Sequence, residues 1–327
     1  MVDVSVTSPK GTSSSPAGRF TYAPRTLSVF AGIPFKPGPA TSTALGSLTD
    51  VAVDSAGNLY IADSYYSVIE KVTPDGTLSV VAGTGVAGTP VPGPATQSPL
   101  PNYSSKLAVD GSGNLYIGAP STVLKMDSSG VLSVFANGLG YYLDLGTDAA
   151  GNLYVSSWSS YVTKITPSGT TSSIYMGIDG VQSLAVAPNG DIFFFSGGRI
   201  RKRTTDGEFS IVAGTNSAGP PVAGPATESP IYDATLAVDA NQNVYARTSG
   251  FWGSRIVKVT GRTLSIVAGT ATNGPPAPGP AQSSPFTFIS SLAVDPAGTA
   301  LFVADSGRGS SVDSSVDPPT VHLRDLN

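Results

Sequence analysis

The chain has no cysteine and only one histidine, His322, among its 327 residues. The absence of cysteine excludes disulfides, thiolate metal sites and a cysteine nucleophile. A single histidine cannot supply a multi-histidine metal site, and no Gly-x-Ser-x-Gly motif marks an activated serine. The sequence therefore predicts no catalytic residue, no metal site and no cofactor.

Charge is also scarce, because only 12% of the residues are charged and the formal net charge is −4. The 18 Lys and Arg residues are scattered, so we expect no surface that follows the phosphates of a nucleic acid. No apolar run reaches the roughly 18–20 residues of a membrane helix, and residues 1–11 lack the features of a secretion signal. We expect no membrane insertion, and we expect any export signal to lie outside this sequence.

What the chain does contain is repetition, together with 38 glycines and 27 prolines. One phrase occurs six times, as LTDVAVDSAGNLYIADS (48–64), KLAVDGSGNLYIGAP (106–120), LDLGTDAAGNLYVSS (143–157), SLAVAPNGDIFFFSG (183–197), TLAVDANQNVYARTS (235–249) and SLAVDPAGTALFVADS (291–306). A second phrase, typified by LSVVAG, also occurs six times, at 27–32, 78–83, 132–137, 172–177, 209–214 and 264–269. Short apolar runs between turn residues indicate strands, and repeated four-stranded units are typical of a propeller.

Each repeat is predicted to contain four strands, which we call A to D in chain order. The chain begins with a D-type strand at 27–32, whereas the sixth repeat ends after a C strand, for which residues 320–325 are the candidate. Pairing of these two segments would join the chain ends and leave no open gap in the ring. The sequence thus predicts an all-β fold: a six-bladed β-propeller of four-stranded blades, the last blade being completed by an N-terminal strand.

The repeated phrases resemble the NHL repeat, and the GPATxSPL segments resemble the inter-blade loops of bacterial NHL proteins. The resemblance covers about 300 residues, and it assigns residues 25–327 to an NHL-type propeller. Two repeats depart from the pattern: the fourth has Ala187-Pro188 where Asp is expected, and the third has a degenerate D strand. Residues 1–24 resemble the C-terminal end of an IPT/TIG domain, which is immunoglobulin-like. The alternative is an irregular N-terminal arm.

Function on a propeller is carried by loops at its faces. Four of the D–A connections are long and proline-rich, and the two others, at 138–142 and 178–182, are short. We expect the long connections to form stiff walls on one face and to leave the sector of the third and fourth blades lower. Aromatic and basic residues of the same loops are the candidate ligand-binding residues: Tyr65, Tyr66, Tyr141, Tyr142, Trp158, Tyr161, Phe251, Trp252, Arg199, Arg247, Arg255 and Arg308.

Acidic residues offer two further readings. Asp63 and Asp305 end the B strands of blades that become neighbours on closure. They either form a carboxylate pair for acid–base or cation chemistry, or each of them accepts hydrogen bonds from the backbone of its own B–C loop. The DGSGN turn at 110–114 has the outline of a calcium loop, but it lacks the alternating oxygen donors that calcium needs. We interpret it as a structural turn.

Three functions remain open from the sequence. The first is a non-catalytic module that binds a glycan or a protein, as a monomeric part of a larger secreted or surface bacterial protein. The second is a carbohydrate-active enzyme, or another lyase or hydrolase, acting at the propeller axis. Related six-bladed enzymes use several histidines or a carboxylate and Asn calcium site, and neither set is evident in this sequence. The third is a spacer that displays neighbouring domains.

Overall fold

In a computed structural model the protein is all-β. The structure describes residues 26–31, 38–40, 45–102, 106–141, 144–178, 180–250, 252–277, 279–305 and 320–325. The strands of this part of the chain pair into six sheets, which we call blades 1 to 6 in the order of the repeats. The predicted propeller of small four-stranded sheets is confirmed. Within these residues no helix is long and apolar enough to cross a membrane.

The strands of the first three blades follow the chain. The first two strands are β1 (Thr26–Ala31) and β2 (Gly38–Pro39). Blade 1 continues with β3 (Leu48–Val53), β4 (Leu59–Asp63), β5 (Val68–Val72) and β6 (Thr77–Ala82). Blade 2 contains β7 (Gly93–Pro94), β8 (Lys106–Val109), β9 (Leu115–Ala119), β10 (Thr122–Met126) and β11 (Val131–Asn137). Blade 3 contains β12 (Asp144–Thr147), β13 (Leu153–Ser156), β14 (Tyr161–Ile165) and β15 (Thr171–Tyr175).

The other three blades have the same plan. Blade 4 contains β16 (Ser183–Val186), β17 (Ile192–Ser196), β18 (Arg199–Arg203) and β19 (Phe209–Ala213). Blade 5 contains β20 (Gly224–Pro225), β21 (Ala234–Val238), β22 (Val244–Thr248), β23 (Arg255–Thr260) and β24 (Thr263–Ala268). Blade 6 contains β25 (Gly279–Pro280), β26 (Ile289–Val294), β27 (Ala300–Asp305) and β28 (Thr320–Asp325). Short 3-10 turns follow β7, β20 and β25 at Ala95–Gln97, Ala226–Glu228 and Ala281–Ser283.

The two ends of the chain meet in blade 6. Strand β1 pairs antiparallel with β28, from Leu27 opposite Arg324 to Ala31 opposite Val321. The A strands β3, β8, β12, β16, β21 and β26 surround the axis, and each contacts the A strands of both neighbouring blades. The N-terminal segment therefore supplies the D strand of blade 6, as the order of the repeats predicted. Residues 1–24, with their resemblance to an IPT/TIG domain, lie outside the described residues.

The core lies between blades, where the apolar faces of neighbouring sheets pack together. Between blades 1 and 2, for example, Ala62 and Ile69 pack with Leu107, Leu115 and Ile117 of the next blade. Such strands are buried on both faces, and this explains why the A and B strands are apolar runs with little alternation. Each blade therefore depends on both of its neighbours for burial.

The A–B turns are held by aspartates. Asp110 accepts hydrogen bonds from the amides of Ser112 and Asn114, both at 2.9 Å, and from the side chains of Asn114 at 2.8 Å and Tyr116 at 3.1 Å. The same bonds are made by the aspartates of blades 1, 3 and 5, which are Asp54, Asp148 and Asp239. Both oxygens of each carboxylate thus serve the turn, as the structural interpretation predicted.

Blade 4 departs from this pattern, as its sequence does. Ala187 occupies the position of the turn aspartate, and it cannot bond the turn amides through its side chain. Asp191 carries the charge instead, and its carboxylate pairs with Lys202 at 2.7 Å and accepts a bond from Asn189 at 2.9 Å. The Lys202 pair keeps the pKa of Asp191 below its usual range, although burial acts in the opposite direction.

Removal of one turn aspartate should destabilise the fold. In Asp239→Ala we expect the free energy of unfolding to fall by about 2–4 kcal/mol, because the buried Tyr245 hydroxyl and two backbone amides lose their acceptor. Urea unfolding of the purified chain measures this. The control is Asp206→Ala in the exposed C–D turn of blade 4, for which we expect a clearly smaller change. Equal losses of stability in the two variants would contradict the role of Asp239 in holding the A–B turn.

Candidate functional site

A polar residue begins the axial part of every A strand, four residues before the A–B turn. The six equivalent residues are Asp50, Lys106, Asp144, Ser183, Thr235 and Ser291. Together the A strands line a central cavity of about 160 Å³. We call the six equivalent residues the axial ring. The axial ring lies toward the face that carries the B–C and D–A loops, since each A strand starts there.

The axial ring joins consecutive blades through hydrogen bonds. The Asp50 carboxylate of blade 1 accepts a bond from the Leu107 amide of blade 2 at 2.8 Å, and Asp144 of blade 3 accepts one from the Leu184 amide of blade 4 at 2.8 Å. The Ser183 hydroxyl of blade 4 accepts a bond from the Leu236 amide at 3.2 Å. Backbone N–H groups on the inner edges of the sheets thus find acceptors on the preceding blade, as buried amides require.

Lys106 is the charged centre of the ring. Its ammonium lies 3.9 Å from the Asp50 carboxylate and 3.7 Å from that of Asp144, so it bridges blades 1, 2 and 3. Burial alone would lower the pKa of Lys106, but Asp144 and Asp50 raise it above the ordinary value. Burial raises the pKa of Asp50 despite the neighbouring Lys106. The Ser291 hydroxyl of blade 6 donates to Oδ1 of Asp50, the oxygen that also faces Lys106, and links the last blade to the first.

Arg247 is not part of the axial ring, but it links blades 5 and 6 and does not line a loop surface. It lies on the B strand β22, is almost fully buried, and donates to the Ile289 carbonyl of blade 6 at 3.2 Å. It also pairs with Asp233 at 3.1 Å, which compensates its charge. Burial lowers the pKa of Arg247, although Asp233 acts against this shift.

The carboxylates of Asp63 and Asp305 are buried and engaged by loop backbone. Asp63 accepts bonds from the amides of Tyr65 at 3.0 Å and Tyr66 at 3.1 Å, and also from Gly46. Asp305 accepts bonds from the amides of Thr287 at 2.8 Å and Phe288 at 2.9 Å. Asp63 thus bonds its own B–C loop, whereas the bonds of Asp305 come from the preceding D–A connection. The B–C loop of blade 6 lies outside the described residues.

Glu70 is a feature that the sequence analysis missed. It lies on β5, is fully buried, and neither of its carboxyl oxygens has a hydrogen-bond partner. Its side chain projects on the same side of the sheet as Val72, which packs against Phe302 and Ala304 of blade 6. Burial, with a smaller contribution from Asp63, raises the pKa of Glu70 to about 8. A polar residue in an apolar strand was the signal available, but the sequence could not show that it lacks a partner.

The exposed aromatic residues concentrate on blade 3, which has short connections on both sides. Four side chains are more than half exposed there: Tyr141 at 68%, Trp158 at 59%, Tyr161 at 52% and Tyr175 at 57%. We call these four residues the blade-3 aromatic cluster. The Tyr161 and Tyr175 rings lie with their centroids 5.3 Å apart. Tyr175 was not among the candidates, because it lies in the D strand that the sequence marked as degenerate.

Loop geometry brings this cluster together. A Cβ atom at Gly140 would lie 3.2 Å from that of Ser157, so the connection carrying Tyr141 passes directly over the B–C loop carrying Trp158. In the same loop the Ser159 hydroxyl bonds the backbone of Tyr161, donating to its carbonyl at 2.8 Å and accepting from its amide at 3.0 Å. Trp158 has a φ of 55°, which is uncommon for a bulky residue, and Ser67 and Ser121 have similar values in the B–C loops of blades 1 and 2.

The other candidates lie apart from the cluster. Tyr65 is exposed and Tyr66 half-buried in the B–C loop of blade 1, with their rings 4.9 Å apart in an edge-on arrangement. Trp252 is half-buried against Gly250 in blade 5. Arg199 and Arg255 are half-buried at the starts of β18 and β23. Tyr142, Phe251 and Arg308 lie outside the described residues, as does the B–C loop of blade 6.

The axial ring should be sensitive to loss of its cation. In Lys106→Met we expect the free energy of unfolding to fall by about 2–4 kcal/mol, because the buried Asp50 and the half-buried Asp144 lose the charge between them. The matched control is Lys258→Met, which removes only a contact with the Tyr245 ring, at 5.1 Å, and should cost about 0.5–1 kcal/mol. Chemical denaturation of both variants measures the difference, and similar losses would contradict a structural role of the ring.

Glu70 should make stability depend on pH. Between about pH 4.5 and pH 8 the folded protein retains a proton on Glu70 that the unfolded chain has released, so the free energy of unfolding falls as pH rises. Glu70→Gln mimics the protonated form and should match the wild type at pH 5 but exceed its melting temperature at pH 8. The control is the exposed Glu228→Gln. An unchanged difference between the Glu70→Gln variant and the wild type across this range would refute the assignment.

Comparisons with known proteins find similarity in structure only. No family model matches the chain, and no curated protein sequence matches it. A protein of unknown function from Bacteroides thetaiotaomicron superimposes with a TM-score of 0.68 at 14% identity, over 92% of this chain and 76% of that one. An auxiliary nutrient binding protein from Bacteroides ovatus gives a TM-score of 0.66 at 13% identity, over 93% of this chain and 77% of that one.

Enzymes share the fold as well. Virginiamycin B lyase from Staphylococcus aureus superimposes with a TM-score of 0.51 at 12% identity, over 85% of this chain and 94% of the lyase. A histidine-to-alanine variant of the same lyase is catalytically inactive. Identities this low carry the fold and not the function. These comparisons identify the chain as a β-propeller protein.

Proposed function

We propose that the protein is a non-catalytic binding module that takes a carbohydrate on the blade-3 aromatic cluster. The single observation that carries this proposal is the gathering of four aromatic side chains, each more than half exposed, in one sector of the loop face. Exposed aromatic rings leave apolar surface in water, and such surface is usually a binding site. Flat rings with polar edges are suited to the faces of sugar rings.

Two further observations support a ligand at this place. The two short D–A connections, at 138–142 and 178–182, are expected to leave the sector of blades 3 and 4 lower than the others, which would give a chain-like ligand access along the rings. The fold is shared with an auxiliary nutrient binding protein, which makes ligand capture a function that this architecture can perform.

We further propose that the propeller, residues 25–327, is one domain of a longer secreted or surface protein, with residues 1–24 belonging to a preceding IPT/TIG-like domain.

An enzyme is the second candidate because two buried carboxyl groups, Asp63 and Glu70, have raised pKa values beside Tyr66. Perturbed acids of this kind are found at catalytic sites. Against this candidate, the Asp63 oxygens are occupied by backbone donors and Glu70 has no exposed surface. Its test is product formation by the wild-type chain from polysaccharide and ester substrates.

The proposal is tested with a panel of immobilised polysaccharides. We expect saturable binding by the wild type without product release, and at least tenfold weaker binding by Trp158→Ala and by Tyr161→Ala, because each loses a stacking surface. Tyr232→Ala is the matched control, since this tyrosine is similarly exposed but lies in blade 5. Equal losses in all three variants would argue against the cluster, and turnover by the wild type would favour the enzyme.

A further inference from the structure

Four blades carry an additional short strand on the outer edge of their D strand. In each, a Gly-Pro pair from the preceding D–A connection pairs antiparallel with the first residues of that strand. In blades 1, 2 and 5 the glycine lies opposite a leucine that is buried: Leu78, Leu132 and Leu264. Blades 3 and 4 have the short connections, and no Gly-Pro strand covers β15 or β19 in the described part of the chain.

The covering segment has a defined chemistry. Its glycine adopts φ values of 137°, 135° and 141° at Gly93, Gly224 and Gly279, where a side chain would be strained. The proline follows in an extended conformation, and the alanine after it is almost fully buried in all four copies. The alanine amide donates to the carbonyl at the turn before the D strand, as from Ala95 to Gly130 at 2.9 Å. The outer edge of these D strands is therefore suited to a segment with the sequence Gly-Pro-Ala.

No strand in the described part of the chain pairs with the outer edge of blade 3, and the pairing of its C and D strands is regular. The pairing of β14 with β15 runs from Tyr161 opposite Tyr175 to Ile165 opposite Thr171 without a register shift. Every other C–D pairing contains a shift: those of β5, β10, β18 and β23 with the following strand, and that of β28 with β1. Natural edge strands avoid association through bulges, charges or prolines. Strand β15, with the sequence TSSIY, has none of these.

Blade 4 is different, because its own side chain fills the corresponding place. The Phe209 ring of β19 lies 3.5 Å from the position of a Cβ atom on Gly177, at the end of the blade-3 D strand. Phe209 replaces the leucine of the covered blades, whereas blade 3 has the small Thr171 there. Within the described residues, blade 3 therefore has an unpaired strand edge and only the small Thr171 side chain at this position.

From these observations we propose that the outer edge of β15 is a docking site for a partner protein, which adds an extended Gly-Pro-Ala segment as a fifth strand. The partner glycine pairs with Thr171, its proline lies beside Thr170, and its alanine amide donates to the Gly169 carbonyl. These three residues correspond to Leu78, Thr77 and Gly76 of blade 1, which hold Gly38, Pro39 and Ala40 in the same way. Strand addition gives affinity through main-chain hydrogen bonds.

The experiment measures fluorescence anisotropy of a labelled peptide, PGPATQSPL, which copies residues 92–100, added to the full chain. We expect saturable binding with one peptide per chain. Thr171→Pro removes the outward N–H of the edge and should weaken binding at least tenfold, whereas Thr171→Ala keeps the backbone and should stay within about threefold. The same peptide with N-methylglycine in place of its glycine should bind the wild type at least tenfold more weakly.

Several results would overturn the proposal. These are absence of saturation at millimolar peptide, equal binding by Thr171→Pro, or an equal loss in Thr171→Ala. A wild-type dimer in sedimentation that Thr171→Pro dissolves would mean that a second copy occupies the edge. If Thr171→Pro does not fold, judged by its circular dichroism, the N-methyl peptide decides. Thr171→Pro should retain polysaccharide binding, so that failure of this proposal is distinct from failure of the carbohydrate site.

Discussion

The structure depends on how the edges of its sheets are satisfied. In a propeller the innermost strand of each blade is a sheet edge, and its N–H groups point toward the next blade, where no strand can pair with them. Buried amides need an acceptor, so the edge must be closed by side chains. In three of the six blades a residue of the axial ring does this: Asp50, Asp144 and Ser183 accept the amide of the following A strand. Packing between blades follows from the spacing that these bonds set.

The outer edges are satisfied by another device, and it is applied unequally. Four D strands are covered by Gly-Pro segments, and covering them requires a long connection from the preceding blade. Blades 3 and 4 have short connections, so within the described residues they lack both the Gly-Pro strand on the outer edge and the long proline-rich loop. The short connections that leave the edge of β15 without a Gly-Pro strand also leave Tyr161 and Tyr175 exposed beside it. Repeat symmetry is therefore broken in one sector, and four of the exposed aromatic side chains lie there.

Much of this fold is readable from the sequence because it repeats. Copies of one phrase fix the A–B turns, and the D-type phrase at 27–32 fixes the pairing of β1 with β28. The axial ring was not predicted, because Asp50, Lys106 and Ser183 are different residue types and their equivalence has meaning only around a shared axis. A signal was present nevertheless: the position four residues before the turn is polar in all six repeats, within otherwise apolar strands.

The candidate site was harder to predict, for a physical reason. Tyr141, Trp158 and Tyr161 come from two loops whose proximity is created by the contact of Gly140 with Ser157. Arg247 was also chosen as a residue near the loop face, yet it lies within β22, is buried and has its charge compensated by Asp233. Sequence position thus indicates which residues are near the face, whereas burial decides which of them a ligand can reach.

That distinction also separates the axis from the rim. At the axis, Lys106 bridges two carboxylates and the A-strand amides are bonded, so a ligand entering there would have to replace interactions that hold neighbouring blades together. On blade 3 the aromatic rings already face water, and binding would replace only solvent. The free-energy cost of binding therefore differs between the two sites. A ligand at the axis would weaken the bonds of the axial ring, whereas a ligand on blade 3 would leave the bonds of the fold in place. This asymmetry is the physical argument for locating recognition at the rim.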